Sequence, residues 1–142
     1  MFDAYRELGL RKFALGGLVF QSNLNQTLER IKITRKITKG FFLHIFGKFL
    51  HPKLLKPVIS SGADSVDGYG YILRSVRGFY IHDQNYQSIG KITEADIHNC
   101  ICPACKEKDI LDFQRGDREA QYLLIIHNIH SLIQLKETIL KK

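Results

Sequence analysis

The 142-residue sequence contains no tryptophan, one methionine, three prolines and three cysteines. Three cysteines cannot all pair with one another, which argues against a disulfide scaffold. No apolar run approaches the roughly 18 residues of a membrane-spanning helix, and the first residues lack a signal-peptide core, so we expect a cytoplasmic protein without a membrane partner. The chain is also too short for a complete (β/α)8 barrel, which takes roughly 200 residues or more.

Acidic residues are scarce in one part of the chain. The sequence has 21 Lys and Arg against 14 Asp and Glu, a net charge of +7. Residues 22–61 hold eight basic residues and a single acid, so all of the excess charge lies there. A basic surface attracts polyanions, and this predicts a nucleic-acid contact. The predicted contact residues are Arg30, Lys32, Arg35, Lys36 and Lys39. The alternative is an ordinary solvated helix face.

Short apolar runs alternate with helical stretches over the first half of the chain. We predict strands at Lys12–Leu15, 41–46 and 63–66, and helices at 25–39, 52–59 and 68–76. This alternation is typical of parallel βα units, and the continuous apolar run at 41–46 suits a strand buried on both faces. An antiparallel pair at 78–81 and 87–92, a cysteine loop, and one or two helices from Asp117 onward complete the prediction.

The three cysteines lie within six residues, in the pattern Cys100-x-Cys102-x-x-Cys105. Thiolates prefer zinc, and a structural zinc ion takes four ligands in a tetrahedron. The fourth ligand has to come from elsewhere in the chain. The candidates are His127 and His130, three residues apart on a helical segment, with His82 and His98 as weaker ones. Buried or redox-inert cysteines are the alternative interpretation.

This cysteine pattern, followed by His127-Asn128, resembles the zinc subdomain of the tRNA-guanine transglycosylase family. Four upstream blocks resemble the same family in the same order. These blocks are Leu15-Gly16-Gly17-Leu18, His44-Ile45-Phe46-Gly47, Gly62-Ala63-Asp64-Ser65-Val66-Asp67 and Gly78-Phe79-Tyr80. The order of the blocks is more specific than any one of them.

The resemblance implies a fold and a chemistry. Family members are TIM barrels with a zinc subdomain, and they exchange a guanine in tRNA for a 7-deazaguanine base through a covalent aspartyl intermediate. It implies Asp67 as nucleophile, the segment Gly16, Gly17 and Leu18 as base-binding, and His127 as the fourth ligand of a structural Zn²⁺. It also implies that residues 1–77 belong to the barrel and residues 78–142 to the zinc-binding subdomain with its C-terminal helices.

The chain would supply only about the last three βα units of such a barrel. We therefore expect a partial barrel, completed by a second polypeptide or organised as a homodimer, acting in queuosine or archaeosine biosynthesis. Whether the chain alone is an enzyme stays open. The alternatives are a relative that acts on DNA, a non-catalytic zinc module that binds nucleic acid, and a remnant without a function of its own.

Overall fold

A computed structural model describes residues 2–18, 23–47 and 50–141. The chain forms two compact units, an N-terminal unit of Met1–Gly68 and a C-terminal unit of Tyr69–Lys142. None of the helices among the described residues has the length and apolar character that crossing a bilayer requires.

The N-terminal unit alternates helices and strands as predicted. Its elements are α1 (Phe2–Glu7), β1 (Lys12–Leu15), α2 (Leu24–Ile37), β2 (Phe42–Ile45), α3 (Pro52–Ser60) and β3 (Ser65–Val66). The side chain of Asn23 accepts hydrogen bonds from the first-turn amides of α2, and Pro52 opens α3. The three strands form a parallel sheet in the order β1-β2-β3. The mixed α/β class with a parallel sheet is therefore confirmed, whereas the partial barrel stays a prediction.

Among the described residues, one face of the sheet is buried more deeply than the other. On that face, Leu43 and Ile45 of β2 are fully buried and belong to the same core as Ile31 of α2 and Val58 of α3. The opposite face, which we call the open face, carries Ala14, Phe42, His44 and Ser65. There Phe42 is 42% exposed, and Phe46 just beyond β2 is 48% exposed. The expectation of a strand buried on both faces was wrong for this chain, because α2 and α3 cover a single face.

The C-terminal unit combines a hairpin with helices. Its elements are α4 (Gly70–Val76), β4 (Phe79–His82), β5 (Asn85–Ser88), a 3-10 turn (Ile89–Lys91), α5 (Glu94–His98), α6 (Ile110–Gln114) and α7 (Arg118–Leu140). Asp83 and Gln84 adopt φ values of 45° and 61°, as a two-residue type I′ hairpin turn requires. The turn is therefore tighter than predicted, and the second strand is Asn85–Ser88 rather than 87–92.

The core of the C-terminal unit lies around the cysteine loop. Tyr80, Ile97, Phe113 and Leu124 are buried together with Cys102 and Cys105. The helices α5 and α6, which flank the loop, both begin with capping boxes. They were not predicted, because five residues are too few to show a helical period. The predicted C-terminal helix is a single 23-residue element, with Asp117 as its N-cap.

Candidate functional site

The three cysteines and His127 come together in the C-terminal unit. Nδ1 of His127 lies 3.5 Å from Sγ of Cys100, 3.3 Å from Sγ of Cys102 and 3.5 Å from Sγ of Cys105. The four ligand atoms all lie within 4.8 Å of one another. Ligands at tetrahedral angles around one zinc ion, with bonds of about 2.3 Å to sulfur and about 2.0 Å to nitrogen, would be separated by roughly 3.6 Å. The donor set therefore fits a four-coordinate metal ion.

Short turns place the sulfurs on one side of the loop. Cys100 lies two residues beyond the end of α5, and the amides of Cys105 and Lys106 donate to the carbonyl of Cys102 at 3.1 and 3.2 Å. Cys102 and Cys105 are buried, and Cys100 is half-buried. The amide of Ile110 donates to the carboxylate of Glu94 at 2.9 Å, which joins the starts of α5 and α6 across the loop.

The orientation of His127 is set by its other ring nitrogen. Nε2 lies 2.9 Å from the carbonyl oxygen of Ile81 and 3.2 Å from Oγ of Ser131. Because a carbonyl can only accept, the proton of a neutral imidazole has to sit on Nε2, which leaves the lone pair of Nδ1 directed at the sulfurs. The ring of Tyr80 stacks on the imidazole at 3.6 Å with an angle of 13° between the planes. A hydrogen bond from the second ring nitrogen to a backbone carbonyl is typical of metal-ligating histidines.

Without a metal, the cluster has to share protons. Burial lowers the pKa of His127, but hydrogen bonds to Cys100 and Cys102 outweigh this effect and raise its pKa to about 9. Hydrogen bonds from the other two thiols lower the pKa of Cys100, whereas the pKa of Cys105 is raised because its thiol faces two neighbouring sulfurs. The three sulfurs cannot all be thiolates in this space unless a cation replaces their protons.

The other three histidine candidates lie outside this cluster. His130 does not belong to the ligand group, which is the one set of metal-binding character among the described residues. Nε2 of His82 lies 3.2 Å from the carboxylate of Asp83, and His98 pairs with Glu94 at 2.9 Å. His127 is therefore the fourth member of the group.

Asn128, next to His127, joins α7 to β4 and α4. Its Oδ1 accepts from the amide of Ile81 at 2.8 Å, and its Nδ2 donates to the carbonyl of Phe79 and to Oγ of Ser75, each at 2.8 Å. The side-chain amide thus pairs with β4 as a neighbouring strand would. Since Asn128 is fully buried, these bonds fix the position of the helix that carries His127.

Asp67 lies directly after β3, at the carboxyl end of the parallel sheet. Its amide donates to the carbonyl of Ile45 at 3.3 Å, and its Oδ1 accepts from the amide of Gly47 at 2.6 Å. The side chain is 44% exposed. Gly68, which follows, has a φ of +155°, and a Cβ there would lie 2.8 Å from the carbonyl oxygen of Gly47. The turn after Asp67 therefore requires glycine.

The open face of the sheet brings two further side chains to Asp67. His44 and Ser65 are register partners on β2 and β3. Nε2 of His44 lies 3.6 Å from Oδ2 of Asp67, and its Nδ1 lies 2.7 Å from Oγ of Ser65. His44 and Ser65 therefore form, with the predicted nucleophile Asp67, a polar cluster on the open face.

The predicted base-binding segment follows β1. Gly16 and Gly17 are exposed, whereas the side chain of Leu18 is buried with 1% exposure. The buried Leu18 side chain packs in the core of the N-terminal unit, so only the backbone of this segment is available to a base.

The predicted nucleic-acid contacts lie on α2 and just beyond its end, and four of the five are exposed. Lys32 and Lys36 are four residues apart on α2 and share one face, and Lys39 follows in the turn after the helix. Arg35 has a structural role instead. Its guanidinium donates to the carbonyls of Gly62 at 2.6 Å and Phe41 at 2.8 Å and pairs with Asp64. Arg30, the remaining predicted contact residue, is exposed on α2.

Three residues of these sites were not singled out from the sequence. Asn128 was noted only as the neighbour of His127, and Tyr80 and His44 were each one residue of a matching block. Their roles depend on which residues face them across the fold. A polar residue inside an otherwise apolar strand was the one signal that could have identified His44.

Comparisons with known proteins agree with the motif resemblance. A family model described as Queuine tRNA-ribosyltransferase matches residues 1–142. The tRNA-guanine(15) transglycosylases of Archaeoglobus fulgidus and Methanopyrus kandleri are each 30% identical to this chain, over 101 and 100 residues. These matches cover 68% of the chain and 20% of each relative, so the chain spans about a fifth of the length of these relatives. Because the family model matches along the entire chain, the chain belongs to the queuine tRNA-ribosyltransferase family.

Proposed function

We propose that this chain is the C-terminal portion of a tRNA-guanine transglycosylase-type enzyme, which exchanges a guanine in tRNA for a 7-deazaguanine base. The observation that carries the proposal is the position of Asp67. It is a half-exposed carboxylate at the carboxyl end of a parallel strand, held by the amide of Gly47 and oriented toward the open face. Catalytic residues of βα barrels lie at this end of the strands.

In the proposed reaction, a carboxylate oxygen of Asp67 attacks C1′ of the target nucleotide. The C1′–N9 bond breaks, its electron pair goes to the departing guanine, and the guanine takes up a proton. The incoming base then attacks C1′ through its own ring nitrogen, loses a proton and releases the carboxylate. Covalent catalysis of this kind replaces one difficult displacement by two easier ones. The backbone of Gly16 and Gly17 is proposed to contact the base.

The structural Zn²⁺ is proposed to be held by Cys100, Cys102, Cys105 and His127. Its chemistry is that of a closed site, because four protein ligands leave no position for a reacting water. The residues around it keep the site rigid. Tyr80 covers the imidazole, and Asn128 fixes α7 against β4.

A second polypeptide is proposed to complete the barrel. Among the described strands, β1 and β3 each pair with β2 alone, so both edges of the parallel sheet are available for a further strand. Phe42 and Phe46 are exposed on the open face, which would line the interior of a closed barrel. The alternative partner is a second copy of the chain. Native mass spectrometry of the complex distinguishes a heteromer from a homodimer.

The function can be tested by reconstitution. The purified chain is mixed with a polypeptide that carries the missing strands and a second catalytic carboxylate, and incorporation of a labelled 7-deazaguanine into tRNA is measured. We expect incorporation with the wild-type chain and with Asp83→Asn, an exposed control, and none with Asp67→Asn. Equal incorporation with Asp67→Asn would remove Asp67 from the reaction. A parallel arm with DNA as acceptor tests the DNA-acting alternative.

A second candidate is a nucleic-acid-binding zinc module, and three exposed lysines on and just after α2 favour it. Lys32 and Lys36 are exposed on one face of α2, and Lys39 is exposed in the turn after it. This candidate predicts binding of tRNA by the chain without a partner, with an affinity that falls steeply as salt rises. A triple Lys→Gln variant should lose both the binding and its salt dependence. Binding that is insensitive to salt would exclude a phosphate-dominated contact.

A further inference from the structure

His44 lies where it can control the carboxylate of Asp67. The register pairs His44 with Ser65 across β2 and β3, so both side chains lie on the open face. Asp67 is two residues beyond Ser65, and the alternation of side chains brings it to the same face. The imidazole is held on its other side by the ring of Phe46, edge to face at 4.7 Å. His44 is therefore confined between Phe46, Ser65 and Asp67.

The contacts of His44 define which nitrogen carries its proton. A hydroxyl can donate or accept, so the 2.7 Å contact of Ser65 with Nδ1 suits either tautomer. The carboxylate of Asp67 can only accept, and Nε2 is the nitrogen that faces it at 3.6 Å. A bare Nε2 would direct its lone pair at a negative charge. The favourable arrangement has Ser65 donating to Nδ1 and the proton on Nε2, directed at Oδ2.

The two oxygens of Asp67 are then held unequally. Oδ1 accepts a 2.6 Å hydrogen bond from the amide of Gly47, whereas Oδ2 has only the longer contact with His44. Contacts of catalytic groups are often long in the absence of substrate and shorten when it binds. A carboxylate fixed at one oxygen by the backbone and steered at the other by an imidazole has one orientation, with Oδ2 the less tightly bound oxygen.

We propose that His44 is a positioning residue for Asp67: it directs Oδ2 through its Nε2–H, and Ser65 fixes the tautomer that makes this possible. This inference rests on the proposed function, because it takes Asp67 as the nucleophile. His44 touches the carboxylate, and its effect on the reaction passes through that carboxylate. A misplacement of about 1 Å can reduce a reaction rate by about a hundredfold, so the orientation of Asp67 matters.

Two amide substitutions provide a matched pair of variants. In His44→Gln the side-chain nitrogen reaches the position of Nε2, and in His44→Asn it reaches only that of Nδ1. In the reconstituted exchange assay we expect His44→Gln to keep kcat within about tenfold of the wild type. This variant keeps the contact with Asp67 and loses the contact with Ser65, and the loss of one hydrogen bond corresponds to a factor of about ten. We expect His44→Asn to lower kcat by about a hundredfold while KM for tRNA is unchanged. Equal kcat values for the two variants, high or low, would overturn the proposal.

A second measurement needs neither catalysis nor a variant. Nitrogen-15 NMR of the zinc-loaded full chain, with His44 assigned, reports which ring nitrogen carries a proton. We expect a proton on Nε2, and a Nε2 without a proton would overturn the proposal whatever the exchange assay gives. The two failures are distinguishable, because absence of exchange in the wild-type mixture counts against the proposed function, whereas the NMR result concerns His44 alone.

Discussion

Replacing Asn128 by alanine tests how the C-terminal unit holds its metal ligands. The substitution removes three hydrogen bonds at once, to the amide of Ile81, the carbonyl of Phe79 and Oγ of Ser75. Ser75 keeps its bond to the carbonyl of Tyr71 at 2.8 Å, so two backbone groups lose their partner. Each buried group left without a partner costs about 1–3 kcal/mol, and the two together about 4 kcal/mol.

This loss of about 4 kcal/mol is a large fraction of the total free energy of unfolding of a domain, about 5–15 kcal/mol. Urea unfolding of the zinc-loaded chain, followed by far-UV circular dichroism, measures it. The control is Gln134→Ala, an exposed position on the same helix. We expect the control to stay within about 0.5 kcal/mol of the wild type. An Asn128→Ala variant that is equally stable would refute the role assigned to its side chain.

Three further predictions follow from the described contacts. Cys102→Ser should lose the metal and lower the stability of the C-terminal unit, measured by metal analysis and urea unfolding, whereas Lys106→Ser in the same loop should do neither. Gly68→Ala should destabilise the N-terminal unit by about 1–3 kcal/mol and Gly70→Ala should not, because only the first has a positive φ and a close carbonyl. Burial raises the pKa of Tyr86 from 10.0 to about 12, so its contribution to stability is complete below pH 10.0 and declines as the pH rises toward about 12. Tyr86→Phe should weaken this alkaline loss in urea titrations.

Local signals in the sequence were sufficient to predict most elements of the N-terminal unit. Pro52 marked the start of α3, and the apolar run after Gly40 marked β2. The cysteine spacing predicted the cluster, because three thiols within six residues need little more than one loop to converge. These features depend on neighbours along the chain.

Other features depend on packing that a single sequence does not display. The choice between His127 and His130 by spacing alone was open, and it is the carbonyl of Ile81 and the ring of Tyr80 that orient the first. The exposure of Phe42 could not be predicted, since an apolar run is compatible with a strand covered on one face or on both. The role of Arg35 likewise follows from the carbonyls that meet its guanidinium.

The central claim is that three sulfurs and Nδ1 of His127 bind one metal ion. X-ray absorption spectroscopy at the zinc edge of the zinc-loaded chain tests it most directly. The account predicts three sulfur ligands at about 2.3 Å and one nitrogen ligand at about 2.0 Å, with no bound water. A first shell in which the nitrogen is missing, or in which oxygen ligands outnumber sulfur, would contradict it.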